Sequence, residues 1–189
     1  MKNKNGISIL EIIIGMFIFS LISVLAIGIY TSHFKVYSNQ NSHIDVASQS
    51  KIGIDEIVNQ IRQSQSIVNT CSACGSDITS STVLVLQLWP LDTNGDPKDP
   101  TTNDYDYIVY KKNPADLTQI TRRILPNVAS NRQGSTTIIA NNVSSLNFAY
   151  NNGTPSATSQ VTITVITSKL SFGKTQTSTQ VKNADLRNK

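Results

Sequence analysis

Three patterns of apolar residues follow one another along this chain. From Ile12 to Phe34 they are nearly continuous, and no Asp, Glu, Lys or Arg stands between Glu11 and Lys35. At about 1.5 Å per residue this run makes a helix of roughly 34 Å, slightly longer than the ~30 Å hydrocarbon layer of a bilayer. It predicts a membrane-spanning helix. Next, Ile44, Ala47, Ile54, Val58 and Ile61 recur at helical spacing, with Ile57 widening the stripe and Lys51 interrupting it from an edge where a long side chain can snorkel. Gln40, Gln49, Asp55, Asn59 and Gln63 lie mostly off that stripe. This predicts an amphipathic helix with one face to pack. All six prolines lie at Pro90 or beyond, so one helix is predicted from about Ile7 to Ser66. Gly15, Gly28 and Gly53 are its soft points, each costing roughly 1 kcal/mol relative to alanine in an exposed helix.

In the third pattern, beyond Ser66, Ser, Thr and Asn dominate and apolar residues come in short runs. Residues 82–88 (TVLVLQL) are apolar on both faces and read as a central strand. Residues 105–111 and 117–125 flank Asn113-Pro114-Ala115-Asp116, a hairpin turn. Residues 136–140, 146–150 and 160–167 follow, the last two alternating, with Asn152-Gly153 favouring a reversal between them. A final strand is expected over 174–186. The expected fold class is α+β: a long N-terminal helix, transmembrane in its first half and amphipathic in its second, packed on a mostly antiparallel sheet of six or seven strands. The segments are 1–6, a basic leader; 7–34, the transmembrane helix; 35–66, its amphipathic extension; and 67–189, a β-domain.

Charge adds little. The formal net charge of +4 over 189 residues is too small and scattered for a nucleic-acid surface, so nucleic acid is not an expected partner. Arg122-Arg123 is the only adjacent arginine pair. On a strand its members point to opposite faces, which reads as solvated charge. Cys71 and Cys74, in C-S-A-C, supply half of a zinc site, and His33 and His43 on the long helix do not complete it. The spacing leaves a small disulfide loop, favoured outside the cytoplasm, or two unpaired thiols.

One acid, Glu11, heads the spanning run, an arrangement an ordinary signal peptide does not need. Lys2 and Lys4 precede it and place the N-terminus in the cytoplasm with the remainder outside. The order Gly6-Ile7-Ser8-Ile9-Leu10-Glu11, then an apolar helix, an amphipathic extension and a β-domain, resembles the type IV pilin superfamily, which includes minor pilins and the pseudopilins of type II secretion. The family's processing region typically reads Gly-Phe-Thr-Leu-Ile-Glu. Here Gly6 and Glu11 match, Ser8 replaces threonine, Ile9 and Leu10 exchange two aliphatics, and Ile7 departs from phenylalanine. Many family members carry a proline where Gly28 falls. The closing residues, 181–188, also look like the ends of some larger minor pilins and pseudopilins.

The resemblance implies cleavage after Gly6 by a prepilin peptidase and N-methylation at Ile7. It implies a single-pass protein of the cytoplasmic (inner) membrane, then assembly into an extracellular or periplasmic filament serving adhesion, motility, DNA uptake or secretion. The implied partners are other pilin or pseudopilin subunits, an inner-membrane assembly platform and membrane lipid. Glu11 would meet the amino terminus of a neighbouring subunit, a pairing that selects one axial register because a misplaced subunit leaves a charge unpaired.

The remaining chemistry is sparse. Asp92, Asn94 and Asp96 bracket a glycine turn with oxygen ligands suited to calcium, although no later bidentate glutamate completes an EF-hand and the same residues are ordinary turn formers. Calcium is thus the one candidate cofactor. Trp89, Tyr105, Tyr107 and Tyr110 cluster in sequence beside it, as a binding surface or as sheet packing. With no Gly-rich phosphate loop and no HExxH, an enzyme is not expected. Two rivals remain: an anchored single-pass domain that binds an external ligand, and a β-domain secreted after cleavage near Ala26.

Overall fold

The computed structural model describes residues 8–100 and 104–187. One helix, α1 (Ile9–Gln63), is followed by β1 (Ser66–Ile67), β2 (Val83–Leu88), β3 (Asp106–Asn113), β4 (Asp116–Leu125), β5 (Ser135–Ala140), β6 (Val143–Tyr150), β7 (Gln160–Ser171) and β8 (Lys174–Asp185). A short 3-10 helix, Pro155–Ala157, stands between β6 and β7. The architecture is α+β. The chain divides into two units, Met1–Asn41 and Ser42–Lys189, and α1 contributes to both.

In the first unit every large apolar residue from Ile9 to Tyr37 is exposed. Such a surface is far larger than the apolar patch a soluble monomer presents. Among the described residues α1 is the one helix long and apolar enough to cross a membrane. It continues without interruption through Gly28, whose carbonyl accepts the Thr31 hydroxyl at 3.0 Å.

The second unit is built on two antiparallel sheets, β1-β2-β3-β4-β5 and β6-β7-β8. The sequence predicts one sheet of six or seven strands; among the described residues there are two sheets and eight strands. The additional strand, β1, pairs only Ser66 and Ile67 with Gln87 and Leu86, too short to leave a periodic signal. The division into sheets is set by pairing partners, which local pattern does not encode. The 113–116 reversal is a tight hairpin closed by Asn113 opposite Asp116. The 152–153 reversal is instead a longer loop, held where Asn151 Oδ1 accepts the amides of Ser159 and Gln160.

One core serves both sheets and the helix. Ile54, Ile57, Val58 and Ile61 of α1 meet Leu84, Leu86, Ile108, Tyr110 and Ile120 of the first sheet and Phe148, Val161 and Ile163 of the second. The buried stripe differs from the sequence expectation at its N-terminal end. Ile44 is exposed, and the residues buried there are Ser42, Val46, Ser50 and Gly53. Close approach is the reason. A Cβ on Gly53 would lie 3.0 Å from the Ala140 Cβ. The Thr167 hydroxyl donates to the Val46 carbonyl at 2.6 Å, and Ser50 and Ser178 hydroxyls meet at 3.1 Å. Larger apolar side chains would hold the helix away from these contacts. At Gln63 the helix stops as buried Ser64 turns its hydroxyl onto the Ile61 carbonyl, satisfying one of the last free acceptors.

The two-sided apolar character of β2 has two covers. Leu84, Leu86 and Leu88 belong to the core under α1. Val85, with Val109, belongs to a second cluster with Cys74, flanked by Cys71, Val68, Val83, Tyr107 and Leu125. The 68–82 loop therefore closes the face of the first sheet that α1 does not reach.

Gly53 yields a test. On an exposed helix Gly→Ala gains roughly 1 kcal/mol of propensity, whereas overpacking a filled core costs about 1–3 kcal/mol. Gly53→Ala is expected to lower the thermal midpoint of the detergent-extracted chain, and adding Ala140→Gly is expected to restore it. A midpoint raised by Gly53→Ala alone would show that the helix does not sit this close to β5.

Candidate functional site

The N-terminal segment carries the strongest sequence expectation. Gly6 and Ile7, the expected processing residues, lie outside the described residues. Glu11 is described, and its surroundings explain how a carboxylate heads an apolar helix. Ser8 is the residue before the helix, and its carbonyl accepts the Ile12 amide at 3.2 Å. The Ser8 hydroxyl accepts the Leu10 amide at 3.3 Å, and Glu11 Oε2 accepts the Ser8 amide at 2.9 Å. This is a variant of the capping box: the glutamate three residues on takes the cap amide, while the serine hydroxyl takes the second helical amide in place of the third. The helix dipole also favours an anion in this first turn. The charge is thus held within its own chain before any partner is present. The signal was legible in the sequence as Ser8-Ile9-Leu10-Glu11, a hydroxyl residue followed three positions later by glutamate.

Cys71 and Cys74 form a disulfide, with Cα atoms 5.1 Å apart. It closes a small ring in the 68–82 loop, lying on Val85 and Val109. Asp77 anchors this loop, accepting Lys111 Nζ at 2.6 Å and Arg123 Nη2 at 2.9 Å. The same arginine reaches the Cys74 carbonyl at 2.8 Å. On the opposite face of β4, Arg122 pairs with Glu56 of α1. The adjacent arginines do point to opposite faces, but the expectation of solvated charge is corrected: each ties the sheet to a different cover. Their acidic partners lie 66 and 46 residues away in sequence, beyond the reach of local pattern.

The Asp92–Asp96 turn uses its lead carboxylate internally. Asp92 Oδ1 accepts the amides of Asn94 at 2.8 Å and Asp96 at 2.9 Å. Gly95 takes φ +87°, a left-handed conformation that disfavours other residues, and Leu91 bridges to Pro97 across the turn. The other acids of the stretch do not converge on it. Asp106 is fully buried and accepts the Asn127 amide at 2.8 Å, the Ser130 hydroxyl at 2.7 Å and Arg132 Nε at 2.8 Å. Among the described residues no group of three or more His, Cys, Asp or Glu side chains is arranged to hold a metal ion. Asp92 and Asp96 carry the geometry of a turn, with Asn94 contributing its amide.

The sequence cluster of aromatic residues separates in space. Tyr110 is fully buried under α1, where burial first, and then the nearby Glu56 carboxylate, push its phenol far above the ordinary range. Tyr107 lies on the opposite face, and burial raises its phenol as well. These two remain protonated near neutral pH and serve packing. Trp89 is partly exposed at the end of β2.

No protein-family model matches this sequence, and no curated protein matches it.

Removing the Asp92 carboxylate releases two backbone amides, at about 1 kcal/mol for such a bond. Asp92→Ala is expected to lower the thermal midpoint by the same amount in calcium and in chelator. A calcium-dependent rise in the wild-type midpoint that Asp92→Ala abolishes would instead assign this turn to calcium.

Proposed function

We propose that this chain is a minor pilin or pseudopilin: a membrane-inserted subunit cleaved after Gly6 and assembled into a type IV pilus-like filament. The observation that carries the reading is the register of Gly6, Ser8 and Glu11 with an apolar helical surface whose described residues are exposed. For a permanent single-pass anchor the glutamate in the first turn of the helix is a cap and nothing more. A filament interior gives its charge a further use. There the desolvation that Glu11 suffers is offset only by a positive charge, and the amino terminus created at Ile7 of a neighbouring subunit supplies one. Its partners are other subunits of the same class, a prepilin peptidase, the assembly platform and membrane lipid.

The mature protein is then expected to begin at Ile7, N-methylated. Intact-mass measurement of membrane-extracted protein checks this directly. A mature chain that keeps Met1–Gly6 supports the anchored rival, and one that starts near Ile27 supports the secreted one.

The capping box makes a sharper test of the assembly role. Gln at position 11 still accepts the Ser8 amide and keeps the cap, but it carries no charge. Ser8→Ala removes the cap hydroxyl, at about 0.5–2 kcal/mol of helix stability, and keeps the charge. Glu11→Gln is expected to be processed normally yet to lose co-purification with its filament partners, while Ser8→Ala largely retains it. If Glu11→Gln co-assembles at the wild-type level, Glu11 serves only as a helix cap.

A further inference from the structure

A cleft of about 610 Å³ opens in the second unit where α1 and β2 end. Its size falls in the range of small-molecule sites, roughly 300–1,000 Å³. Its lining is unusual for a chain of nearly balanced charge: three arginines, Arg62, Arg132 and Arg187, and no acid. They are not equivalent. Arg132 is committed, with Nε on buried Asp106 and Nη2 donating to the Trp89 carbonyl at 3.3 Å. Arg62 and Arg187 have no ion-pair partner among the described residues. They reach the cleft from the last turn of α1 and from just beyond β8.

We propose that this cleft binds an acidic saccharide, its carboxylate held by Arg62 and Arg187 and its ring laid against Trp89. Each part of that ligand answers an observation. The two uncommitted guanidinium groups offer forked donors, a geometry that suits a carboxylate or phosphate group and that lysine does not reproduce. Trp89, with Leu88, Leu91 and Pro97, supplies an apolar wall for the face of a ring. Gln65 supplies the third element. It lines the cleft, and its side-chain Oε1 is buried with no hydrogen-bond partner among the described residues. A buried acceptor left unmet is costly and asks for a donor. A uronate ring presents a carboxylate and hydroxyl donors on one small apolar-faced body. An acidic residue of a peptide brings backbone N–H donors beside its carboxylate but no ring face to lie against Trp89. A nucleotide shares the anion and the hydroxyls, so it forms the comparison arm. Every residue invoked belongs to the second unit, and the site does not depend on whether the chain assembles.

Trp89 is the only tryptophan, so its emission reports on this cleft alone. The test titrates the detergent-extracted full chain with digalacturonate, with a neutral disaccharide (maltose) and with AMP. Digalacturonate is expected to change the emission saturably, and more weakly as salt screens the ion pairs. Maltose is expected to leave the emission unchanged. Arg62→Gln combined with Arg187→Gln is expected to weaken binding at least tenfold with an unchanged thermal midpoint. Arg62→Lys with Arg187→Lys, which keeps charge but loses the fork, is expected to fall between. An equal response to maltose, tighter binding of AMP, or wild-type affinity in the double glutamine variant would overturn the proposal. So would an emission that digalacturonate leaves unchanged.

Discussion

Neither sheet of the second unit can bury its apolar face without α1. The inward residues of both meet one helical stripe, and the buried side chains form a single cluster. Because the helix must serve two surfaces, it has to lie close to both. Closeness is achieved by subtraction: Ser42, Ser50 and Gly53 carry little bulk, and hydroxyl groups make the contacts that methyl groups would obstruct. At the C-terminal end of the same stripe Ile54, Ile57, Val58 and Ile61 supply bulk instead. Placement comes from one half of the stripe and most of the hydrophobic stabilisation from the other.

Charge then finishes what packing begins. Arg122 and Glu56 join β4 to the helix, and Arg123 and Asp77 join it to the disulfide loop on the opposite face. Lys182 with Asp55 and Lys169 with Asp45 join β8 and β7 to the helix flank. The last two are exposed pairs, and such pairs contribute little individually. Their value is in specifying which strand lies beside which helical turn. Arg132 with buried Asp106 does the same for the 126–134 loop, where loss of the arginine would leave a carboxylate unpaired in the interior.

Much of this was legible in the chain. The apolar runs located β2 through β8 to within a few residues, and the absence of proline before Pro90 marked one continuous helix. What escaped did so for physical reasons. A search for apolar periodicity finds Ile44 and Ala47 and passes over Ser42, Ser50 and Gly53, because small residues that permit contact look like polar interruptions. Division into two sheets depends on pairing between distant segments. Arg122 and Arg123 could be assigned to faces but not to partners. The cap at Ser8 is legible as well, since its spacing to Glu11 is local. The Trp89 cleft draws on α1, β2, loops distant in sequence and Arg187 just beyond β8, and no local stretch announces it.

The order in which these contacts become available has a consequence for biogenesis. The docking stripe of α1 emerges early from the ribosome, yet the Val46 carbonyl waits for Thr167, 121 residues later, and Ser50 waits for Ser178. Contacts so distant in sequence slow folding, and exposed apolar surface is an aggregation hazard during the wait. The serine- and glycine-rich upper half of the stripe lessens that hazard, since the surface it offers before docking is barely sticky. The residues that let the finished helix sit close to the sheets are also those that keep the unfinished chain from sitting on anything else.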